Sequence, residues 1–239
     1  MILAHKKIGE TPLELIKRIA PNKSPITYAG RLDPMAEGLM ILLKGKEVHD
    51  KDKYLKLNKT YHLDILLGIS TDTYDTLGII TKINLSKKIP PLLIKKTIQN
   101  YPRKYSQPYP PYSSKPVDGH PLWWWAKNNK LEKIKIPSKN IKITNLELNS
   151  AFDQKLSKIV KTIISNIKKV KGDFRQKEII SDWKDLVSNN PNKKLQILNL
   201  TISCSAGTYM RSIANKIGEK LKIPALALKI NRTAIGNYS

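Results

Sequence analysis

The sequence is short of cysteine, of acid and of long apolar runs. Its single cysteine, Cys204, has no partner for an intramolecular disulfide, and four scattered histidines offer no paired spacing of the kind that holds zinc. No segment approaches the ~20 apolar residues that a membrane-spanning helix needs, and Met1 through Lys7 lack the apolar core of a signal peptide. These absences predict a soluble, cytoplasmic protein with no metal and no membrane. Asp and Glu number 19 against 43 Lys and Arg, a formal charge of +24. Such an imbalance disfavours a polycationic ligand and predicts a polyanionic one, nucleic acid first. The alternative is a lysine-rich coding bias that merely solvates the surface.

What is present suffices for one sizeable folded unit: 239 residues, 40% of them hydrophobic, should bury roughly 70% of the unfolded surface. Thr11-Pro12-Leu13-Glu14 spells a helix start, with a capping threonine, a proline that has no amide to waste and a glutamate to complete a capping box; the helix should stop before Pro21. Leu39 to Leu43, bracketed by Gly38 and Gly45, predicts a buried strand, which leaves Asp33 on the loop leading into it. Tyr61, Leu63, Ile65 and Leu67 alternate along a second strand, and residues 91 to 100 suit a short helix. Tyr101 to Pro121, rich in Pro and Tyr, is expected as an irregular loop. Ile141 to Leu148 predicts a strand with a phase slip at Asn145 that suits a bulge. From Lys155 to Val187 apolar residues share one helical face and lysines the other, a basic helical insertion at about 152–190. Leu198, Leu200, Ile202 and Cys204 alternate on a last-third strand, and Gly207-Thr208 opens a helix with Met210, Ile213, Ala214, Ile217 and Leu221 on its apolar face.

Two segments carry chemistry. In Gly30-Arg31-Leu32-Asp33-Pro34-Met35-Ala36-Glu37-Gly38 a carboxylate stands in a Gly-flanked loop with a proline stiffening the backbone behind it, although an Asp-Pro pair is more often only a turn. In Cys204 to Arg211 a strand turns into a helix whose first turn holds Arg211, beside amides that favour anions; an exposed surface arginine is the alternative.

Together these segments resemble those of the TruB-type tRNA pseudouridine synthases. Asp33-Pro34-Met35-Ala36-Glu37-Gly38-Leu39 is similar to the family's catalytic motif. Lys59-Thr60-Tyr61 running on to Leu67 through Gly78, Gln107 through Gly119, and Cys204 through Arg211 are similar to three more, in the family's order and over nearly the whole chain. The resemblance implies an α+β fold, a mixed, mostly antiparallel sheet flanked by helices with a central RNA-binding cleft. It also implies isomerisation of the uridine at position 55 in the T loop of tRNA, without cofactor or metal, by a monomer. Asp33 would be the essential carboxylate acting at ribose C1′, kept ionised by the opposite charge of Arg211. Tyr61 would stack on the extruded base, Tyr209 would line the pocket and Ile230 would form an apolar wall, where ordinary strand packing is the alternative for each.

Lys6 matches the lysine of the family's Lys-Pro-x-Gly motif, with Lys7 in the proline's place, and is expected with Arg31 among the substrate-binding residues. Tyr28 stands where many members have a histidine that wedges into the T loop, and can substitute by stacking. Ser114 replaces a usual alanine. Trp123, Trp124 and Trp125 align with a packing helix and are expected mainly in the core, with one ring exposed. The chain ends soon after Thr233, so the small C-terminal RNA-binding (PUA) domain of bacterial relatives is expected to be absent, leaving one catalytic domain over 1–239. Phosphate contacts would fall instead to the basic helix near Lys155 to Lys171 and to the diffuse charge, each with a salt slope of about 0.9, where a solvated amphipathic helix is the alternative.

Two other functions fit less well. Gly30-Arg31-Leu32-Asp33 is similar to the motif of synthases that modify ribosomal RNA, but Pro34, Ala36 and Gly38 follow the tRNA type. A catalytically silent tRNA chaperone would have no need of a carboxylate in a cationic cleft.

Overall fold

The computed structural model describes residues 1–20 and 25–239. Strand β1 (Ile2–Lys6) leads to helix α1 (Pro12–Ile19), which starts where its sequence says: the Thr11 hydroxyl accepts from the Glu14 amide and the Glu14 carboxylate accepts from the Thr11 amide. Strands β2 (Ile26–Ala29) and β3 (Ala36–Lys44), helix α2 (Lys51–Leu55) and strand β4 (Lys59–Leu67) follow, then the hairpin of β5 (Ile69–Thr71) and β6 (Ile80–Ile83) and helix α3 (Pro91–Gln99). Strands β7 (Lys104–Pro108), β8 (Pro116–Val117) and β9 (His120–Pro121) precede helix α4 (Leu122–Lys127) and the long strand β10 (Ser138–Lys155). Helices α5 (Leu156–Ile167) and α6 (Gln176–Ser188), strand β11 (Lys194–Cys204), helix α7 (Met210–Leu221) and strand β12 (Ala225–Ile235) complete the order.

The main sheet runs β1-β3-β12-β4-β11-β10-β7, with β2 also paired to β3. Every pairing is antiparallel except that of β12 with β3, so the sheet is mixed and mostly antiparallel, as expected. The alternation of β4 and β11 points Tyr61, Leu63, Ile65, Leu67, Leu198, Leu200, Ile202 and Cys204 at one face, where Met210, Ile213, Ala214, Ile217 and Leu221 of α7 cover them with α1 and α3. On the other face Leu66, Leu195, Ile197 and Leu226 pack under Ile159, Ile163 and Ile167 of α5 and Ile179 and Trp183 of α6. Helices on both faces therefore hold the central strands between them.

Four expectations need correction. Residues 101–121 are not an irregular loop throughout, because β7 pairs with residues 138–142 of β10 at the sheet's edge. An edge strand bonds on one side only, so Pro108 costs it nothing there. The insertion starts at Leu156 rather than 152, since residues 152–155 continue the ladder with β11, and it is two helices interrupted at 168–175, where Gly172 takes φ 91°. Of the tryptophan helix only Leu122 and Ala126, four apart, face the core; Trp124 and Trp125 are half-buried and Trp123 is 45% exposed. Gly38 lies inside β3, not at its edge. The slip near Asn145 is a bulge as expected, and a second one follows between Leu148 and Ser150. Among the described residues, no helix is long and apolar enough to cross a membrane.

Candidate active site

The Asp33-Pro34 pair is a turn and a site at once. The Ala36 amide donates to the Asp33 carbonyl at 3.0 Å, with Pro34 at the position whose φ a β-turn wants fixed. Two buried cations clamp this turn to the sheet. The Lys6 ammonium, with no solvent exposure, donates to the carbonyls of Ala36 at 2.6 Å, Lys7 at 3.1 Å and Pro34 at 3.4 Å. Arg232, opposite Tyr61 on β12, donates to Leu39 O at 2.7 Å and, at 3.5 Å, to the carbonyls of Gly30 and Arg31. Burial pulls the Lys6 amine down to about 8, partly opposed by the charge of Asp33. Three carbonyls take the place of water around an ammonium that could not otherwise be buried.

A third buried cation, Arg211, meets the carboxylate itself. Its Nε donates to Asp33 Oδ2 at 2.8 Å, one terminal nitrogen to Thr73 O at 2.9 Å and the other to Tyr112 O at 3.2 Å. The guanidinium plane is thus fixed on three sides, as its rigid fork allows. Helix α7, which carries it, is fixed in turn by Gln107, whose side-chain amide accepts from Tyr209 N at 2.8 Å and donates to Tyr209 O at 3.1 Å. A second carboxylate, Asp75, lies 3.7 Å from the same Nε. Burial pushes the Asp75 acid up, and the charge of Asp33 adds to that; Arg211, Thr73 and the Leu77 amide pull the other way. The two acids differ in access: the Asp33 side chain is 33% exposed and that of Asp75 only 7%. Asp33 is therefore the one that a reactant can touch.

Asp33, Asp75 and Arg211 line a cavity of about 510 Å³, a size that suits a small ligand or an extruded nucleotide. Tyr28 and Arg31 stand in its wall, and Arg31 donates to the Tyr28 hydroxyl at 3.1 Å. The structure thus brings Asp33, Arg211, Tyr28 and Arg31 together. The others sit behind that wall. Tyr61 (8% exposed) and Ile230 (5%) belong to the core beneath the loop, Ile230 paired with Ala36. Burial pushes the Tyr61 phenol up, with Arg232 pulling down. Tyr209 is half-buried, its ring edge-on to Tyr109 at 5.5 Å. Lys6 is corrected from a substrate contact to a clamp, because its ammonium is spent on backbone carbonyls out of reach of solvent. Sequence reasoning missed Asp75 and Arg232; the Thr-Asp-Thr-Tyr-Asp run held a signal for the first, and nothing local pointed to the second.

The whole chain superposes on large chains of known structure: a Cbf5–Nop10–Gar1 complex (TM-score 0.57, 15% identity, 99% of this chain against 49% of the other) and an H/ACA RNP bound to a substrate RNA containing 2′-deoxyuridine (TM-score 0.55, 14%, 99% against 48%). Its fold is that of these chains. Residues 17–172 match the N-terminal domain of the TruB family pseudouridylate synthases, and the chain belongs to that family. Proteins named tRNA pseudouridine synthase B are similar to it end to end: that of Mesoplasma florum at 28% identity, Bacillus velezensis at 26% and Wigglesworthia glossinidia brevipalpis at 30%. The chain spans 69%, 66% and 60% of their respective lengths.

Proposed function

We propose that this protein isomerises a uridine in the T loop of tRNA to pseudouridine, with Asp33 as the essential carboxylate. The observation that carries the proposal is a solvent-reachable carboxylate, paired at 2.8 Å with an arginine that is itself 3% exposed, on a turn clamped by two further buried cations. Such preorganisation suits a reaction that develops charge at the glycosidic carbon and gains from a fixed, water-poor setting. The target uridine leaves its stack and enters the cavity, so that C1′ faces the Asp33 oxygen not bonded to Arg211. As the C1′–N1 bond breaks, Asp33 stabilises or captures the sugar cation. The uracil turns and rejoins through C5; the C5 proton passes to solvent and N1 takes one up from solvent, so that the net change is an isomerisation. The +24 charge draws in the RNA, and family membership at this level of similarity makes tRNA the substrate to test first.

The test is tritium release from tRNA carrying [5-³H]uridine. Wild-type protein should release tritium from the T-loop site, and Asp33→Asn should bind the same RNA with release reduced at least a thousand-fold. Wild-type binding without release would point to a folding aid for tRNA instead, and release from ribosomal RNA alone would reassign the substrate.

A further inference from the structure

The segment between α5 and α6 reaches out of the insertion and into the active-site cavity. Asp173, Phe174 and Arg175 all line the cavity that holds Asp33. This segment is tied down on separate sides. Arg175 donates to Asp72 Oδ2 at 2.7 Å and lies 4.8 Å over the ring of Tyr112, whose carbonyl receives Arg211. Asp173 pairs with Lys127 of α4 at 2.9 Å and Lys171 with Glu14 of α1 at 3.1 Å. The Gln176 side chain donates to the carbonyls of Val170 and Gly172 and accepts from the Phe174 amide. Lys169 sits so close to Gly9 that a Cβ there would come within 2.6 Å, and the Gly9 amide in turn holds Pro34 O at 2.9 Å, on the turn that carries Asp33. Arg175 takes a left-handed φ of 63°, which a non-glycine residue keeps only where its surroundings hold it.

Amid these fixed polar contacts Phe174 is left 37% exposed in the cavity wall, and Trp123, 45% exposed, lines the same space. Phenylalanine is scarce here, two in the chain, and an apolar ring held open beside a cationic site gains nothing from water. Exposed aromatics beside cations are the surface on which unstacked bases lie. We infer that Phe174 is a base-stacking residue, contributed by the insertion, that holds a nucleobase of the RNA loop next to the target uridine. The inference rests on the uridine-isomerase reading for what enters the cavity. Phe174 supplies binding and register, and Asp33 the chemistry.

The experiment compares wild type, Phe174→Ala and Phe174→Trp on a T-stem-loop RNA, measuring both Kd by fluorescence anisotropy and turnover by tritium release. Phe174→Ala should raise Kd and KM about ten-fold or more and leave kcat within about two-fold, as for the loss of one stacked base. Phe174→Trp should stay near wild type. Replacing the contacted base by an abasic nucleotide should close the gap between wild type and Phe174→Ala. Unchanged Kd and KM in Phe174→Ala, or a gap that survives at every abasic position, overturns the stacking role. A wild type that binds without releasing tritium sinks the isomerase reading alone, and the Kd comparison on wild-type and abasic RNA then decides for or against stacking.

Discussion

Arg211 serves two acids with one guanidinium, and they need it differently. Asp33 can turn to water if the arginine is lost; Asp75, almost sealed and already pushed toward its neutral form by burial, cannot. Arg211→Met should therefore do more than end activity. Leaving buried polar partners uncompensated costs on the order of 3–5 kcal/mol, and urea unfolding should show the part owed to the Asp75 charge returning in Arg211→Met/Asp75→Asn, which keeps an acceptor for the Leu77 amide, while tritium release stays absent. A single variant within about 1 kcal/mol of wild type would mean that the pair is not structurally coupled. At this scale the sequence was legible where a motif is contiguous: Asp33 with Pro34, Gly207 leading into Arg211. Lys6 and Arg232 were not, because an isolated cation on a strand carries no mark of the carbonyls that another strand will bring to it.

Elements were readable wherever a local rule decides them. The Thr11–Glu14 capping box, the period-2 stripes of β4 and β11, the apolar face of α7 and the bulge beside Asn145 all follow from residues within one or two turns of each other. Residues 104–108 escaped because their strand is made by β10, more than thirty residues on, rather than by their own composition. Gly38 shows the same limit. It looks like a strand terminator, yet it lies within β3 at φ 117°, and a Cβ there would fall onto the backbone of Arg232 in the parallel partner β12. Gly38→Ala should lower stability by on the order of 2–4 kcal/mol and, by displacing the Arg232 clamp from the Asp33 turn, reduce kcat more than it raises KM. Thermal unfolding beside steady-state kinetics checks both; a stable variant with wild-type kcat would show that the strand junction is more pliable than its geometry implies.

Over the whole molecule, 43 cationic side chains against 19 acidic ones make the surface field the first thing an RNA meets. Binding of tRNA should weaken linearly on a log–log plot against salt. If about six phosphates are contacted, roughly a thousand-fold of affinity should go between 50 and 200 mM salt. Filter-binding titrations at four salt concentrations measure the slope, and a flat line would confine recognition to the cavity. Fold class and charge were both visible at this scale from sequence. The strand order was not, since pairing partners far apart in the chain are chosen by packing and closure rather than by local preference.

That order bears on how the protein is made. Strand β12 fills the gap between β3 and β4, and through Arg232 it braces a turn some two hundred residues earlier. Translated at roughly 5–20 residues per second, the ribosome delivers Asp33 on the order of 10–40 s before the strand that secures it. Until residues 225–235 emerge the two halves of the sheet have no common strand, and a nascent chain stalled short of them holds every residue that lines the cavity without the strand that fixes the Asp33 turn. The Asp33 turn is thereby left without its Arg232 brace until β12 has been translated.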